Sequence, residues 1–211
     1  MNKNLILVGG GGHCRSVIDV AERLGYTITG ILDRPSEVGK YVMGYRVVGT
    51  DDEMRQYVAK SEFIVTVGHT HDASLRRKLH SLVVEAGGRL ATLVSPFAQV
   101  SRHATVGEGS VIMNNAHVNA MAAIGMGCII NSCCNIEHDV EVGDFSHVST
   151  GAMVNGGCRI GCGVFVGSGA VLINGCSVTD ECIIGAGAVV VRDIAEKSIY
   201  AGVPARLIKG L

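Results

Sequence analysis

The sequence predicts a chain in two parts, a Rossmann-like α/β unit followed by a parallel β-solenoid. Three observations support this prediction. Aliphatic residues recur at every sixth position through the second half; a strand, a glycine loop, a helix and another strand follow one another at the start; and 29 of the 211 residues are glycine, about twice the usual share. We expect the α/β unit to occupy residues 1–95, the solenoid residues 96–192 and a tail residues 193–211.

The composition excludes several classes of protein. The net charge is −1, so there is no basic surface for nucleic acid or for an anionic membrane. No run of 18 apolar residues exists, and the first apolar run is too short for a signal peptide, so we expect a cytoplasmic protein without membrane insertion. The eight cysteines form no paired C-x-x-C motif, and we expect small buried residues rather than disulfides or zinc ligands.

The first unit alternates strands with helices. Short apolar runs predict strands at residues 4–8, 26–32, 62–67 and 89–94. Apolar positions at helical spacing predict one helix that ends at Gly25 and a second over residues 72–86. Strand, glycine loop, helix and strand in this order are typical of a βαβ unit that binds a nucleotide.

The glycine loop is the first candidate binding site. Gly9, Gly10, Gly11 and Gly12 would present backbone N–H groups and a helix N-terminus to a phosphate. The third glycine of the dinucleotide fingerprint is missing, so the pattern does not indicate a dinucleotide. With His13 after the loop, a phosphorylated nucleotide is favoured over a simple tight turn.

The end of the second strand supplies two further candidates. Asp33 is placed to accept hydrogen bonds from a ribose or a base, and Arg34 to pair with phosphate or base oxygens. These residues do not indicate which nucleotide is bound.

A six-residue period fills the second half of the chain. All sixteen positions of the period are aliphatic, and the residue two places before each one is small: Ala, Cys, Ser or Val. Period six is the repeat of a parallel β-solenoid, in which each hexad forms one side of a coil. The aliphatic positions are Val100, Val106, Ile112, Val118, Ile124, Ile130, Ile136, Val142, Val148, Val154, Ile160, Val166, Leu172, Val178, Ile184 and Val190.

A longer period and a lack of charge describe the outside of the solenoid. Gly107, Gly125, Gly143 and Gly161 recur every eighteen residues, which gives three sides per coil and about five coils. Only nine charged residues occur from position 100 to 190, and none is lysine. With methionines off the inward positions, such faces predict cover by other copies of the chain. Those methionines are Met113, Met121, Met126 and Met153.

The most charged point of the solenoid is a candidate catalytic site. His138 lies between Glu137 and Asp139, and a carboxylate makes a neighbouring histidine a better base. One coil later Gly156 would lie against His138, and its N–H could form an oxyanion hole. His147 lies half a coil away, so a site that used both histidines would have to lie between two copies.

At these residues the sequence resembles a known family. The hexad array resembles the left-handed β-helix acyltransferases. A Gly-Gly-His loop combined with Ile136–Asp139 and Gly143–Val148 looks like the bacterial nucleotide-sugar N-acetyltransferases that acetylate a 4-amino sugar, and like the related sialic acid O-acetyltransferases. The resemblance implies a left-handed helix, a homotrimer with sites at the subunit interfaces, acetyl-CoA as donor and no metal.

The resemblance also implies residue roles. His138 would be the general base and Asp139, often Glu in the family, the acid that supports it. His147 would contact acetyl-CoA from the adjoining subunit, and the backbones of Ser168 and Ala186 would also contact it. The residues that would hold the nucleotide sugar are Gly11, Gly12, His13, Asp33, Arg34 and Gly68.

Several alternatives stay open at this point. The nucleotide could be UDP, GDP or dTDP, and the acetylated atom nitrogen or oxygen. A metal-dependent hydratase would need histidines converging across an interface, and the solenoid histidines never recur at eighteen residues. A sugar-nucleotide sensor without catalysis would not need the base. For the tail we expect a closing loop around Pro204 and a short terminal helix.

Overall fold

The computed structural model describes residues 3–210. Within these residues, no helix is both long and apolar enough to cross a membrane. The chain begins with an α/β unit whose elements are strand β1 Lys3–Val8, helix α1 Gly12–Arg23, β2 Tyr26–Leu32, a 3-10 turn Pro35–Glu37, β3 Tyr41–Val42, β4 Tyr45–Gly49, a 3-10 turn Asp51–Gln56, β5 Glu62–Val65, helix α2 Ser74–Glu85 and β6 Arg89–Leu90.

These strands form one sheet in the order β3-β4-β2-β1-β5-β6. All pairs are parallel except the β3–β4 hairpin. Alternate residues of β1 point to opposite faces, so Leu5 and Leu7 pack with α1 while Ile6 and Val8 pack with α2. The second helix and the strands at 4–8, 26–32 and 62–67 are confirmed within two residues of each end, and α1 ends two residues before Gly25. The short strands β3 and β4 were not predicted.

The second part is a three-sided parallel β-helix. Its strands are two residues long and recur every six residues, and each pairs with the strand eighteen residues away. The strands are β7 Leu93–Val94, β8 Gln99–Val100, β9 Thr105–Val106, β10 Val111–Ile112, β11 His117–Val118, β12 Ala123–Ile124, β13 Ile129–Ile130, β14 Asn135–Ile136, β15 Glu141–Val142, β16 His147–Val148, β17 Met153–Val154, β18 Arg159–Ile160, β19 Phe165–Val166, β20 Val171–Leu172, β21 Ser177–Val178, β22 Ile183–Ile184 and β23 Val189–Val190.

The first strand of the β-helix, β7, begins three residues before the predicted boundary at residue 96. Residues 89–94 are not one strand, because Arg89 and Leu90 pair with β5 in the first sheet while Leu93 and Val94 pair with β10 in the first coil. One apolar run therefore serves two sheets. Apolar periodicity by itself could not show that the run is divided.

The interior matches the six-residue period. Fourteen of the sixteen predicted aliphatic positions are buried, and Val100 and Val106 in the first full coil are half-buried. The cysteines at the small positions are free and buried, and burial raises the pKa of Cys128 and Cys134 to about 12, so these thiols stay protonated. Their prediction as small core residues is confirmed.

From Gly109 onward, each corner of the coil contains one residue in the left-handed backbone region. Glycine occupies this position at most corners, and six corners use another residue, among them Asp139 with φ 59°. Aspartate and asparagine tolerate this conformation better than most side chains. The corner that contains His138 is therefore compatible with the aspartate that follows it.

The α/β unit covers one side of the β-helix. Arg77 forms an ion pair with Glu181, and the rings of His80 and Phe145 meet edge to face. Met113 is 1% exposed and packs with the core under α1, so its prediction as an outer residue covered by another copy is wrong. Met121, Met126 and Met153 are exposed.

The tail is an antiparallel pair of strands. Strand β24 Ser198–Ala201 continues the sheet that contains β22, and β25 Arg206–Gly210 pairs with it across a turn at Pro204. The predicted closing turn is present. The predicted terminal helix is wrong for the described residues, because the residues after Pro204 extend the sheet edge; Leu211 lies outside the described part.

Candidate active site

His138 stands at an outer corner of the β-helix, between β14 and β15. Its side chain is 59% exposed, and its Nδ1 lies 2.8 Å from Oδ2 of Asp139. This carboxylate selects the tautomer with hydrogen on Nδ1 and leaves Nε2 as an acceptor. Nε2 has no hydrogen-bond partner within residues 3–210, so it is available to take a proton from a bound molecule.

The carboxylate before His138 has a different task. Glu137 accepts hydrogen bonds from Asn119 at 2.8 Å and from Asn135 at 3.0 Å. These bonds lower the pKa of the Glu137 carboxyl, with the Asn135 bond contributing most. Glu137 thus ties adjacent coils together, and Asp139 is the carboxylate that contacts the imidazole.

Gly156 lies against the His138 ring, as the eighteen-residue spacing predicts. A Cβ atom at position 156 would lie 2.6 Å from both Cε1 and Nε2 of His138, so the ring can occupy this place only because residue 156 has no side chain. Its backbone N–H makes no hydrogen bond within the described chain. At the equivalent position two coils earlier, Asn119 caps the N–H of Ala120, whereas the Asn155 amide bonds to Leu172 instead. A free donor therefore lies beside a free base.

The glycine loop borders a cavity of about 310 Å³, which we call the loop cavity. Gly9, Gly10, Gly11, Asp33, Arg34 and Asp51 lie on its wall. Asp33 accepts hydrogen bonds from the N–H groups of Gly10 and Arg34, each at 2.7 Å, so its carboxylate orders the loop. The Arg34 side chain is 79% exposed, and its guanidinium is free to move toward a ligand.

A second cavity lies where the α/β unit meets the β-helix. This histidine cavity, about 520 Å³, is bordered by Gly12, His13, Gly68, His69 and His147 together with residues of the β-helix corner. The six predicted substrate residues are therefore divided between two adjacent cavities, and the glycine loop, with Gly11 on one and Gly12 on the other, joins them.

His147 is held on both ring nitrogens. Its Nδ1 donates to the backbone oxygen of His69 at 2.7 Å, and its Nε2 lies 3.2 Å from the Asn131 amide. Burial is the largest cause that lowers the pKa of His147, to about 4. His147 is therefore a neutral, oriented ring at neutral pH.

The predicted cofactor contacts follow one ridge of the β-helix. Ser132, Thr150, Ser168 and Ala186 occupy equivalent corner positions in successive coils, and the first two border the histidine cavity. Ser168 and Ala186 are exposed, so the ridge leaves the cavity as an open path along which an extended molecule could lie.

The structure brings some of the predicted site residues together in one cavity and places others elsewhere. His13, Gly68 and His147 share a cavity, but His138 is not among the residues that border it. Sequence reasoning missed His69, Arg76, Asn131 and Asp51. A histidine directly after Gly68 was the one available signal, since that glycine was already a candidate. No group of three or more ligating side chains suited to a metal occurs within residues 3–210.

The chain is similar to known protein families and to solved structures. Residues 4–83 match the family described as PglD N-terminal domain, and residues 157–192 match the bacterial transferase hexapeptide family. The acetyltransferase domain of PglB from Neisseria gonorrhoeae is 32% identical with a TM-score of 0.91, covering 98% of this chain and 100% of that one. The same domain has been solved in complex with acetyl coenzyme A, with 31% identity and a TM-score of 0.91 over 99% of this chain and 100% of that one.

Two further relatives extend the comparison. PerB from Caulobacter crescentus, solved in complex with CoA and GDP-perosamine, is 32% identical with a TM-score of 0.91, and the alignment covers 97% of each chain. An uncharacterized protein from Acanthamoeba polyphaga mimivirus is 28% identical over 114 residues, or 54% of this chain. This chain spans only about a fifth of that curated relative, since the match covers 22% of its length.

A Rossmann-like α/β unit joined to a left-handed parallel β-helix that exposes a histidine–carboxylate pair defines a hexapeptide-repeat acyltransferase. The chain belongs to the family of bacterial nucleotide-sugar N-acetyltransferases and sialic acid O-acetyltransferases. It is therefore an enzyme, a sugar acetyltransferase, and acetyl-CoA is the donor that this class of enzyme uses. The predicted fold class and family are confirmed.

Proposed function

We propose that this enzyme transfers an acetyl group from acetyl-CoA to the amine of a nucleotide-linked 4-amino sugar in bacterial glycan biosynthesis. One observation carries the proposal: the exposed His138 pairs one ring nitrogen with Asp139 and leaves the other beside the unbonded N–H of Gly156. A base and an oxyanion donor in contact are what acyl transfer needs. The likeness to PerB, solved with GDP-perosamine, supports an amino sugar as acceptor.

The reaction balances with this chain's own groups. The amine nitrogen attacks the thioester carbonyl carbon, and its proton passes to Nε2 of His138. The Gly156 N–H donates to the oxygen that becomes negative in the tetrahedral intermediate. When the carbon–sulfur bond breaks, the imidazolium returns the proton to the thiolate, which leaves as CoA thiol. Asp139 stabilises the imidazolium between these two steps.

The two cavities suit the acceptor. A diphosphate would lie on the N–H groups of the glycine loop at the N-terminus of α1, with Asp33 and Arg34 toward the nucleoside. The sugar would enter the histidine cavity, where His13 and Gly68 contact it. His147, Ser168 and Ala186 would then contact acetyl-CoA along the ridge.

We propose a homotrimer whose sites lie between subunits, because His138 is absent from the wall of the histidine cavity. Apolar side chains around the His138 corner favour contact with another copy: Met121, Met153 and Ile173 are 66%, 45% and 40% exposed. His138 of one subunit would then reach the amine bound by the next. The free cysteines agree with the reducing cytoplasm, where acetyl-CoA and nucleotide sugars are available.

A substrate panel tests the proposal. The wild-type enzyme is supplied with acetyl-CoA and with UDP-, GDP- and dTDP-linked 4-amino sugars or free sialic acid, and CoA thiol release and acetylated product are measured. Transfer to an amine on a nucleotide-linked sugar is the expected result. Transfer to the sialic acid hydroxyl alone would identify an O-acetyltransferase, and sugar binding without any transfer would identify a sensor.

A further inference from the structure

Arg76 of helix α2 is a buried cation at the boundary between the two units. Its residue exposure is 1%, and its guanidinium donates to the backbone oxygens of Val65 at 2.7 Å, Val67 at 2.9 Å and Gly127 at 2.7 Å, with a longer contact to Gly109 at 3.4 Å. The first two acceptors belong to the α/β unit and the last two to the β-helix. One side chain therefore ties both units together.

This cation has no carboxylate partner. Within residues 3–210, no acidic oxygen lies within 4.0 Å of the Arg76 guanidinium, and all its acceptors are neutral carbonyls. Burial lowers the pKa of Arg76 to about 10, which leaves it charged at neutral pH. An unpaired buried charge is costly, so a hydrophobic side chain would be expected here if packing were the only requirement.

Arg76 does not border the histidine cavity, but it holds the segment that does, and its charge acts on the histidines there. Gly68 and His69 directly follow Val67, whose carbonyl Arg76 holds. Burial and then the charge of Arg76 lower the pKa of His13 to about 3. Burial, then the neighbouring His147 and Arg76, lower that of His69 to about 3.

Other charged groups near the cavity lower or raise the pKa values of the neighbouring histidines. Arg77 also lowers the pKa of His69, and Asp72 opposes it. On the far side of Arg76, the pKa of His80 is lowered by burial and by Arg76 and raised by Glu108 and Asp144. No carboxylate of the same subunit is among the residues that border the histidine cavity, so within one subunit no lining group offsets the positive charge of Arg76.

The reactivity of the acceptor amine in the proposed reaction depends on the positive charge of Arg76. This inference rests on the proposed function. An amine attacks a thioester only with its lone pair free, yet a sugar amine in water is largely protonated at neutral pH. A fixed positive charge near the amine disfavours its protonated form in the same way that it keeps the imidazoles neutral.

We propose that Arg76 is a positioning residue for acyl transfer that holds Val67, Gly68 and His69 against the β-helix and supplies the positive charge favouring a neutral acceptor amine. A guanidinium several ångströms from the amine would shift the titration of that amine by about one pH unit. Arg76 therefore acts in two ways: it positions residues of the histidine cavity, and its positive charge disfavours protonation of the amine.

The test measures the bound amine directly. NMR follows the titration of a 4-amino sugar nucleotide that the panel shows to be a substrate, free and bound to the wild-type enzyme without donor. We expect the bound amine to titrate about one pH unit or more below the free one. Arg76→Gln should reverse most of this shift, Arg76→Lys should retain it with a lower kcat, and Arg89→Gln, a control that removes an exposed arginine bordering neither cavity, should leave it unchanged.

Two results would overturn the proposal. One is a wild-type complex whose amine titrates at or above its free value, a measurement that needs no variant to fold. The other is a folded Arg76→Gln enzyme that retains the shift and the pH profile of kcat/KM. Either result, with normal acetyl transfer by the wild type, refutes the role of Arg76 alone, whereas absence of transfer to every amine refutes the proposed function.

Discussion

The histidines of this enzyme occupy two opposite environments. His138 stands exposed at a corner, with a carboxylate on one ring nitrogen and nothing on the other. His147 and His69 are buried beside each other at the boundary of the two units, with ring centroids 5.5 Å apart and no carboxylate among their hydrogen-bond partners. The first environment leaves one ring nitrogen open to a bound molecule, and the second lowers the pKa of both rings and resists a proton. Surroundings rather than residue type therefore decide which histidine can act as the base.

The largest effect that would test this contrast is removal of the exposed ring. His138→Ala should lower kcat by about 10²–10⁴-fold, because general base catalysis contributes about that much. The affinity for CoA should stay near the wild-type value. Steady-state kinetics and CoA titration measure both. His117→Ala, a half-buried histidine one coil earlier, is the control; more than about a tenth of the activity left in His138→Ala would remove this residue from the base role.

A methyl group at Gly156 should have the next largest effect. In Gly156→Ala the new Cβ would lie 2.6 Å from the His138 ring, so the ring must move away from the N–H donor. We expect kcat to fall by about 10–100-fold, since the backbone donor itself remains. Gly210→Ala, where a Cβ meets nothing within 4 Å, serves as control. Unchanged kcat with a displaced ring would show that the reaction does not need the His138 ring to lie beside the Gly156 N–H.

Asp139→Asn should have a smaller effect. Asparagine tolerates the φ of 59° at this corner and can still hold the ring, but it lacks the charge that stabilises the imidazolium. We expect kcat to fall about tenfold with little change in the melting temperature, since the pair is exposed. Kinetics and thermal unfolding measure these quantities. A loss of stability equal to the loss of activity would indicate a purely structural residue.

The buried histidines should affect stability rather than chemistry. The unfolded chain protonates histidine below about pH 6.5, while folded His69 and His147 resist protonation down to about 3 and about 4. The unfolding free energy is therefore retained above pH 6.5 and falls as the pH is lowered toward 4, by up to about 1.4 kcal/mol per pH unit for each histidine.

His69→Phe sharpens this prediction. Within residues 3–210 neither ring nitrogen of His69 has a partner, so the change removes no described hydrogen bond of that ring and should make the pH dependence less steep by one histidine's share. Urea unfolding between pH 4 and 7 measures the slope, with the exposed His71→Gln as control. An unaltered slope would mean that His69 is protonated in the folded state.

The contrast between the exposed and the buried histidines also explains which parts of the site could be predicted from the sequence. The His138 corner was predictable because the β-helix converts a spacing of eighteen residues into direct contact, so Gly156 could be placed against His138 by counting. The histidine cavity could not be predicted, because it forms where residues from α1, the segment after β5 and the β-helix meet. Arg76 looked like one more charge on a helix until the structure placed carbonyls of both units around it. The end of the tail was wrongly predicted to be helical, because a short apolar run looks the same in sequence whether it forms a strand or a helix.

The central claim is that neighbouring subunits share one site, and mixed oligomers test it most directly. His138→Ala and His13→Ala are each expected to be nearly inactive, and they are unfolded together, refolded as a mixture and assayed for acetyl transfer. If the site combines His138 of one subunit with His13 of the next, random mixing restores about a quarter of the wild-type activity, because one interface in four receives both intact residues. A mixture no more active than its parents would contradict the account.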